Sequence, residues 1–165
     1  MNQRNENNQN NDNNEAWIAG AHEAGTVAGL LCEFRDWWGY AEPSDAEMGM
    51  RVARLIASRE AEFLLAGDRD MPAGVCQLRY RFGLWLGTPD CWLEDLFVRE
   101  SARGRGVGRA LAEAAIERAR ERGSRRIELD VNDANPAALA LYERLGFSAW
   151  VESAGGRNLL MRLRL

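Results

Sequence analysis

The chain has no lysine, and all twenty-one of its basic residues are arginines. A nucleotide-binding P-loop ends in Gly-Lys-Ser or Gly-Lys-Thr, and a pyridoxal phosphate enzyme forms its Schiff base on a lysine, so both classes are excluded. There is one histidine, His22, and the three cysteines are scattered, with no Cys-x-x-Cys pair. We therefore expect no metal site and no disulfide framework.

Long apolar segments are missing as well. Among the 165 residues, 46% are hydrophobic and 28% charged, with no charged-then-apolar leader. No apolar run approaches the roughly eighteen residues that a membrane span needs. We expect a soluble, cytoplasmic protein of one compact domain, without membrane contact.

Negative charge dominates the chain with one exception. The net charge is −4, but residues 103–126 hold eight arginines and three glutamates, a net +5, which leaves −9 for the rest. This basic stretch is interleaved with alanine rather than with aromatic residues, and the acidic remainder would repel a polyphosphate backbone. Nucleic acid is therefore not expected as a partner, and a small anionic ligand fits better.

The first fourteen residues hold eight asparagines and two glutamines. Such a segment buries too little surface to offset the entropy of ordering, so residues 1–14 are predicted to be a disordered tail and residues 15–165 a single domain.

Hydrophobic periodicity predicts the order β-α-α-β-β-β-α-β-α-β-β for that domain. The expected strands are 16–19, 62–66, 73–85, 91–98, 125–131, 147–152 and 158–165, and the expected helices are about 23–38, 44–58, 106–122 and 135–146. Ser44 is the expected N-cap of the second helix, with Glu47 three residues later as its capping-box partner. Hairpins mixed with crossover helices are typical of an α/β fold with a mixed sheet and helices on both faces.

A glycine-rich turn joins the strand at 91–98 to the helix at 106–122. It reads Arg103-Gly104-Arg105-Gly106-Val107-Gly108-Arg109. Backbone N–H groups at a helix start are unpaired and lie at the positive end of the helix dipole, so the turn is predicted to cradle a pyrophosphate. A merely flexible turn is the alternative, and the glycine spacing differs from the Gly-x-Gly-x-x-Gly of dinucleotide-binding folds.

Within this turn, Arg103-x-x-Gly106-x-Gly108 resembles the Arg/Gln-x-x-Gly-x-Gly/Ala signature of the GNAT superfamily of N-acetyltransferases. The run from Asn135-Pro136 to Gly146-Phe147 is similar to the second signature of that family, and the element order fits from about residue 16 onward. The resemblance implies a mixed, mostly antiparallel sheet of about seven strands whose fourth and fifth strands splay apart. It also implies N-acetyltransferase activity with acetyl-coenzyme A as co-substrate.

The resemblance places the pyrophosphate of the coenzyme on the amides of about Arg105–Arg109 and its pantetheine arm along Leu96–Val98. Splayed strands leave backbone groups there unpaired, and the two amides of a pantetheine can satisfy them. Asn135 resembles the family asparagine that reaches the pantetheine, and it is equally suited to be a helix N-cap. The cofactor-binding residues predicted on this basis are Leu96, Phe97, Val98, Arg103, Gly104, Arg105, Gly106, Val107, Gly108, Arg109 and Asn135. The later arginines of the helix, Arg118, Arg120 and Arg122, are expected to be exposed and solvated.

A base is needed for acetyl transfer, because an alkylamine with a pKa of about 10.4 is protonated at neutral pH. Glu94 and Asp95 precede the pantetheine strand, and on a regular strand they would point to opposite faces unless a β-bulge re-aims the pair. The run Trp92–Val98 resembles the diamine and polyamine branch of the superfamily, where the glutamate at the position of Glu94 is the base. A carboxylate that only holds the substrate ammonium is the alternative. Tyr142 lies at the position of the tyrosine that protonates the departing thiolate, and a buried packing role is its alternative.

The acceptor is expected to contact the connection between the first two helices. Trp37 and Trp38 are adjacent, so they cannot both face one core, and with Asp36 they suit a cation that has an apolar stem. Asp95 is a further substrate contact, while contact within a homodimer is the competing use of the tryptophans. The expected acceptor is a primary amine of a small metabolite: a diamine, an amino acid or an aminoglycoside. A protein N-terminus or lysine, and a non-catalytic acyl-coenzyme A sensor, are the alternative functions.

Overall fold

The computed structural model describes residues 14–149. Its strands are β1 (Ala16–Ile18), β2 (Ala61–Gly67), β3 (Pro72–Gly83), β4 (Thr88–Val98) and β5 (Ile127–Glu128). Its helices are α1 (Ala24–Trp37), α2 (Asp45–Ser58), α3 (Val107–Glu121) and α4 (Pro136–Arg144), with 3₁₀ turns at Ala21–Glu23 and Glu100–Ala102. The predicted tail up to residue 13 and the last predicted strand, 158–165, lie outside the described residues.

The described residues form one mixed sheet in the order β1-β2-β3-β4-β5. Neighbours are antiparallel up to β4, and β4 pairs with β5 in parallel. The sheet has five strands here, not about seven. The predicted strand 147–152 does not begin where expected, because the N–H of Phe147 donates to the carbonyl of Tyr142 at 3.0 Å and so remains in the turn that ends α4.

The pairing between β4 and β5 is short. It joins Cys91 to Ile127 and Trp92 to Glu128. From Leu93 onward, β4 has no β5 partner within residues 14–149.

The two faces of the sheet are covered by different helices. On one face, α1 and α2 pack over a buried cluster of Trp17, Val27, Leu30, Val52, Phe63, Leu65, Val75 and Phe97. On the other face, α3 buries Leu111 against β3, and Gly74 makes this approach possible. A Cβ on Gly74 would lie 2.9 Å from side-chain atoms of Leu111 and Val107, closer than packed atoms come.

Local capping chemistry agrees with the prediction at the start of α2. The Ser44 hydroxyl accepts from the N–H of Glu47 at 3.5 Å, and the Glu47 carboxylate accepts from the N–H of Ser44 at 2.9 Å. This reciprocal pair satisfies two of the N–H groups that a helix start leaves without partners.

The solvated role expected for Arg118 is wrong. Its guanidinium makes two bonds to the Glu62 carboxylate, at 2.7 and 2.8 Å, and its side chain is only 24% exposed. Because Glu62 lies on β2, this pair ties α3 to the sheet. Arg120 is 69% exposed, as expected.

The chain divides into two compact units, with the boundary after Asp130. In the second unit, the side chain of Asn135 accepts from the N–H of Ala138 at 3.1 Å, which confirms Asn135 as the N-cap of α4. Tyr142 is 8% exposed, and its ring packs edge-on against Phe147 with centroids 5.5 Å apart. A single domain over residues 15–165 stays a prediction. Within residues 14–149, every helix is too short or too polar to cross a bilayer.

Candidate active site

A β-bulge in β4 coincides with its two adjacent carboxylates. The register with β3 shifts between Gln77 and Leu78, so that Asp95 lies opposite Gln77 and Glu94 is the extra residue. The Glu94 carboxylate reaches Arg79, with Oε2 and Nη1 3.9 Å apart. Since Gln77 and Arg79 are two residues apart on β3 and share a face, both carboxylates lie on that face. The bulge thus brings together two side chains that a regular strand would separate.

Asp95 has an unusual electrostatic environment. Burial, followed by repulsion from Glu94 and Asp130, raises the pKa of Asp95 from 3.8 to about 6. No cation and no hydrogen-bond donor pairs with its carboxylate among residues 14–149. Its negative charge is therefore disfavoured in the protein alone, and a bound cation would stabilise it.

Two residues of β3 belong to this site and were missed by the sequence analysis. Gln77 is only 8% exposed, and its side-chain amide has no hydrogen-bond partner in the described part of the chain. Arg79 is 46% exposed and makes its described ion pair with Glu94 alone. The sequence did hold a signal for them. Val75, Gln77 and Arg79 are every second residue of β3 and share one face, so two polar residues follow a core valine on the face that carries the β4 carboxylates.

The glycine-rich turn has the geometry of an anion cradle. Gly106 is the N-cap of α3 with φ 93°, and Gly104 has φ 74°, a region that only glycine adopts without strain. The first backbone bond of the helix runs from the N–H of Ala110 to the carbonyl of Gly106 at 2.9 Å. The N–H groups of Val107, Gly108 and Arg109 accordingly find no acceptor among residues 14–149, and they lie at the positive end of the helix dipole.

The three arginines of this turn have different environments. Arg103 donates to the carbonyl of Val98 at 3.1 Å and lies 5.3 Å from the ring centre of Trp37, so it links the turn to β4 and α1. Arg109 is 71% exposed and pairs with Glu113. The carbonyl of Arg105 accepts from the side-chain amide of Asn14, a residue of the predicted tail.

The end of β4 exposes backbone groups on the side where β5 is absent. The N–H of Arg99 donates to the carbonyl of Ala73 at 2.9 Å. In an antiparallel ladder, residues that bond to the partner strand alternate with residues that point away from it. The backbone of Phe97 therefore faces β3, whereas the backbone groups of Leu96 and Val98 face the open side. Of the three residues predicted to pair with pantetheine, Leu96 and Val98 have the required orientation.

Trp37 and Trp38 end α1 and are 51% and 46% exposed, which confirms that they do not both enter the core. Their rings meet edge to face, with centroids 5.0 Å apart. Asp36 is already paired with Arg35, whose Nη2 lies 2.6 Å from its Oδ1. Among the described residues, none of these three makes a direct contact with Glu94 or Asp95, and their role in acceptor binding stays a prediction.

Asn135 and Tyr142 belong to the second unit, and their roles toward coenzyme and thiolate stay predictions. Cys32, Cys76 and Cys91 are free and buried. Among residues 14–149, no group of three or more histidine, cysteine or carboxylate side chains is placed to hold a metal ion.

Comparison with known proteins places these features in a family. The model of the acetyltransferase (GNAT) family matches residues 32–147. The thialysine N-epsilon-acetyltransferase of Caenorhabditis elegans is 34% identical over 105 residues, which is 64% of this chain and 65% of the relative. The mycothiol acetyltransferase of Beutenbergia cavernae is 43% identical over 68 residues, 39% of this chain and 23% of the relative. The matches thus span less than two thirds of either relative.

Solved structures agree with this placement. The crystal structure of a "putative acetyltransferase" from Arthrobacter sp. FB24 has a TM-score of 0.81 at 30% identity, and the match covers 91% of this chain and 95% of that one.

Proposed function

Since the chain belongs to the GNAT family of acetyltransferases, we propose that it transfers an acetyl group from acetyl-coenzyme A directly to a primary amine of a small metabolite. The observation that carries this proposal is the layout of β4. Its bulge presents Glu94 and Asp95 on one face, and its edge, which has no β5 partner from Leu93 onward within residues 14–149, includes Leu96 and Val98 immediately downstream. A small amine as acceptor also fits the relative named for thialysine.

The residues present suit the coenzyme. The N–H groups of Val107, Gly108 and Arg109, which have no acceptor in the described part of the chain, would hold its pyrophosphate. The edge of β4 at Leu96 and Val98 would pair with its pantetheine amides. When bound, the coenzyme supplies an activated acetyl group as a thioester. The side chain of Arg103, which fixes the carbonyl of Val98, would keep this edge and the cradle in register.

Glu94 is the proposed proton acceptor. Its side chain is 40% exposed, so it can pass a proton on to water, and its carboxylate lies 3.9 Å from the Arg79 guanidinium. An alkylammonium and a carboxylic acid differ by about six pKa units, so complete proton transfer costs about 8 kcal/mol. Proton removal must therefore be coupled to attack on the thioester or to release of the proton into water.

Two other side chains complete the proposed mechanism. Asp95, whose carboxylate has no cation partner among residues 14–149, would hold the acceptor ammonium before that ammonium loses its proton. Tyr142 would protonate the departing thiolate. Because a thiolate is already a fair leaving group, loss of the Tyr142 hydroxyl is expected to slow the reaction rather than to abolish it.

An assay of thiol release over a panel of primary amines tests this function. We expect turnover of at least one small amine, a fall in kcat of about 10²-fold or more for Glu94→Gln, and a smaller fall for Tyr142→Phe. The affinity for coenzyme A, measured by calorimetry, should be unchanged in Glu94→Gln.

Each failure has a distinct meaning. Tight coenzyme binding without turnover of any amine would favour an acyl-coenzyme A sensor, and turnover of peptide N-termini alone would favour a protein acetyltransferase. Wild-type rates in Glu94→Gln would remove the base assignment but not the enzyme assignment.

A further inference from the structure

Four polar side chains, Gln77, Arg79, Glu94 and Asp95, meet on the sheet face that α1 and α2 cover; they are called the β3–β4 polar patch below. The strand register identifies the face. Gln77 pairs with Phe63 of β2, which belongs to the core under α1 and α2, and with Asp95 of β4, and cross-strand partners point to the same face. Proton transfer by Glu94 explains one of the four. The other three carry the charges and hydrogen-bonding groups of a binding site.

We propose that Asp95 and Gln77 bind the ammonium of the acceptor and that Arg79 binds a carboxylate of the same molecule, so that the acceptor is an amino acid or a related amine that carries an acid group. This inference rests on the proposed acetyl transfer and names its substrate class.

The ammonium half of the proposal depends on two acceptors without donors. Gln77 is more than nine-tenths buried, and its amide is unpartnered within residues 14–149. Among the described residues, the fully buried side-chain polar atoms without a partner belong to Thr88 and Ser124, so the polar atoms of Gln77 keep some access to solvent and can be reached by a ligand. Asp95 is directly opposite, at the Cβ separation of about 5 Å that is typical of cross-strand pairs. The amide oxygen and the carboxylate can thus accept from one ammonium group, which has three N–H donors.

The carboxylate half depends on Arg79. Its contact with Glu94 is 3.9 Å long, beyond the range of a hydrogen bond, so its N–H donors remain available. A guanidinium presents those donors in a planar fork that matches a carboxylate. Arg79 lies two residues from Gln77, about 7 Å along β3, on the same face. An anion bound there would lie beside an ammonium bound at Asp95.

The same geometry disfavours a diamine. The second ammonium of a short diamine would approach the positive charge of Arg79, whereas an amino acid would meet it with its carboxylate. The diamine and polyamine resemblance of Trp92–Val98 therefore does not extend to the β3 side of the site.

The experiment compares acceptors that differ only by a carboxylate: lysine with cadaverine, ornithine with putrescine, and phenylalanine with phenethylamine. For wild-type protein with acetyl-coenzyme A, we expect kcat/KM to favour the amino acid at least tenfold in at least one pair. Arg79→Gln should raise KM for that amino acid at least tenfold and so reduce or abolish the preference over its decarboxylated counterpart. The matched control is Arg81→Gln, two residues along β3, where the arginine already pairs with Glu128 at 3.1 Å. This variant should prefer the amino acid over the decarboxylated amine as strongly as the wild type does.

A second variant tests the ammonium half. Gln77→Met has a similar volume and no polar group, so it should fold at least as stably as wild type while raising KM for both members of the pair. Equal or better turnover of the decarboxylated amine in every pair would overturn the inference and leave the proposed function intact. A loss of kcat in Arg79→Gln that is the same for both members would also overturn it, since Arg79 would then act only through Glu94.

Binding separates the two proposals if no amine is acetylated. Calorimetry of the coenzyme-saturated protein with the same pairs should show tighter binding of the amino acid in wild type and loss of that preference in Arg79→Gln. That result without turnover would contradict the proposed function and support the subsite. The absence of any preference would contradict the subsite.

Discussion

Replacing Asp95 by asparagine should make the protein more stable at neutral pH. Burial and the charges of Glu94 and Asp130 raise the pKa of Asp95 from 3.8 to about 6. A shift of about two units corresponds to about 3 kcal/mol of unfavourable free energy for the ionised form. Asparagine has nearly the same shape and no charge, so Asp95→Asn removes this penalty while keeping the volume and an acceptor opposite Gln77.

The pH dependence gives the sign of the effect. The pKa of Asp95 is higher in the folded state than in the unfolded state, so the folded protein binds the proton more tightly. The loss of stability caused by the ionised carboxylate is therefore complete at a pH above both pKa values and disappears at a pH below both. The free energy of unfolding of Asp95→Asn should exceed that of wild type by about 3 kcal/mol at pH 8 and by about half as much at pH 5, with the two converging as the pH falls further. The charged groups that act on Asp95 are Glu94 and Asp130, and Arg79 pairs with Glu94.

Urea unfolding of the two proteins at pH 8 and pH 5 measures this difference. The control Asp70→Asn makes the same change of net charge at an exposed position and should change stability by no more than about 0.5 kcal/mol. A stability of Asp95→Asn equal to or below that of wild type at pH 8, or a difference that grows as the pH falls, would refute the electrostatic reasoning. A stabilised variant that has also lost acceptor binding would be typical of a functional residue kept at the expense of stability.

Three further predictions concern other parts of the molecule. Gly106→Glu should abolish coenzyme binding in calorimetry, because the new side chain blocks the cradle, repels the phosphates and is strained at φ 93°. The control Gly49→Glu, on α2 with open space around it, should bind the coenzyme normally. Retained affinity in Gly106→Glu would contradict the cradle. Asn135→Asp should keep the α4 cap and the melting temperature while weakening coenzyme binding, and Asn135→Ala should lose about 1 kcal/mol of stability; wild-type coenzyme affinity in both would leave Asn135 with the cap alone. Glu62→Gln should lower the free energy of unfolding by about 2 kcal/mol and leave kcat unchanged. This loss is smaller than the loss of about 3 to 5 kcal/mol for a fully buried pair, because Arg118 is 24% exposed. A loss below about 0.5 kcal/mol would show that this ion pair does not stabilise the fold.

Features that depend on neighbouring residues were predicted well. The capping box at Ser44, the N-cap at Asn135 and the glycine turn before α3 follow from side-chain and backbone chemistry within a few residues. Helix bounds were correct to within one or two residues for the same reason: a spacing of three or four apolar residues and a capping residue are local signals. The family resemblance also rested on such short runs.

Features that depend on pairing between distant residues were not predicted. Periodicity did not reveal that Arg118 would meet Glu62, because that contact requires α3 to lie across β2. Likewise, the alternation that predicted a strand from Phe147 did not reveal that the N–H of Phe147 donates to the carbonyl of Tyr142 in the turn that ends α4.

The candidate site divides along the same line. Its chemistry was evident from the chain alone, since two adjacent carboxylates precede a glycine-rich turn. The absence of lysine excludes P-loop proteins and pyridoxal phosphate enzymes. The geometry of the site was decided by the tertiary structure, because only the register of β4 against β3 places the bulge at Glu94, turns both carboxylates to one face and sets Gln77 and Arg79 beside them. Sequence determines which groups exist and how each short segment folds, whereas the orientation and pKa of a carboxylate depend on which distant strands come to lie next to it.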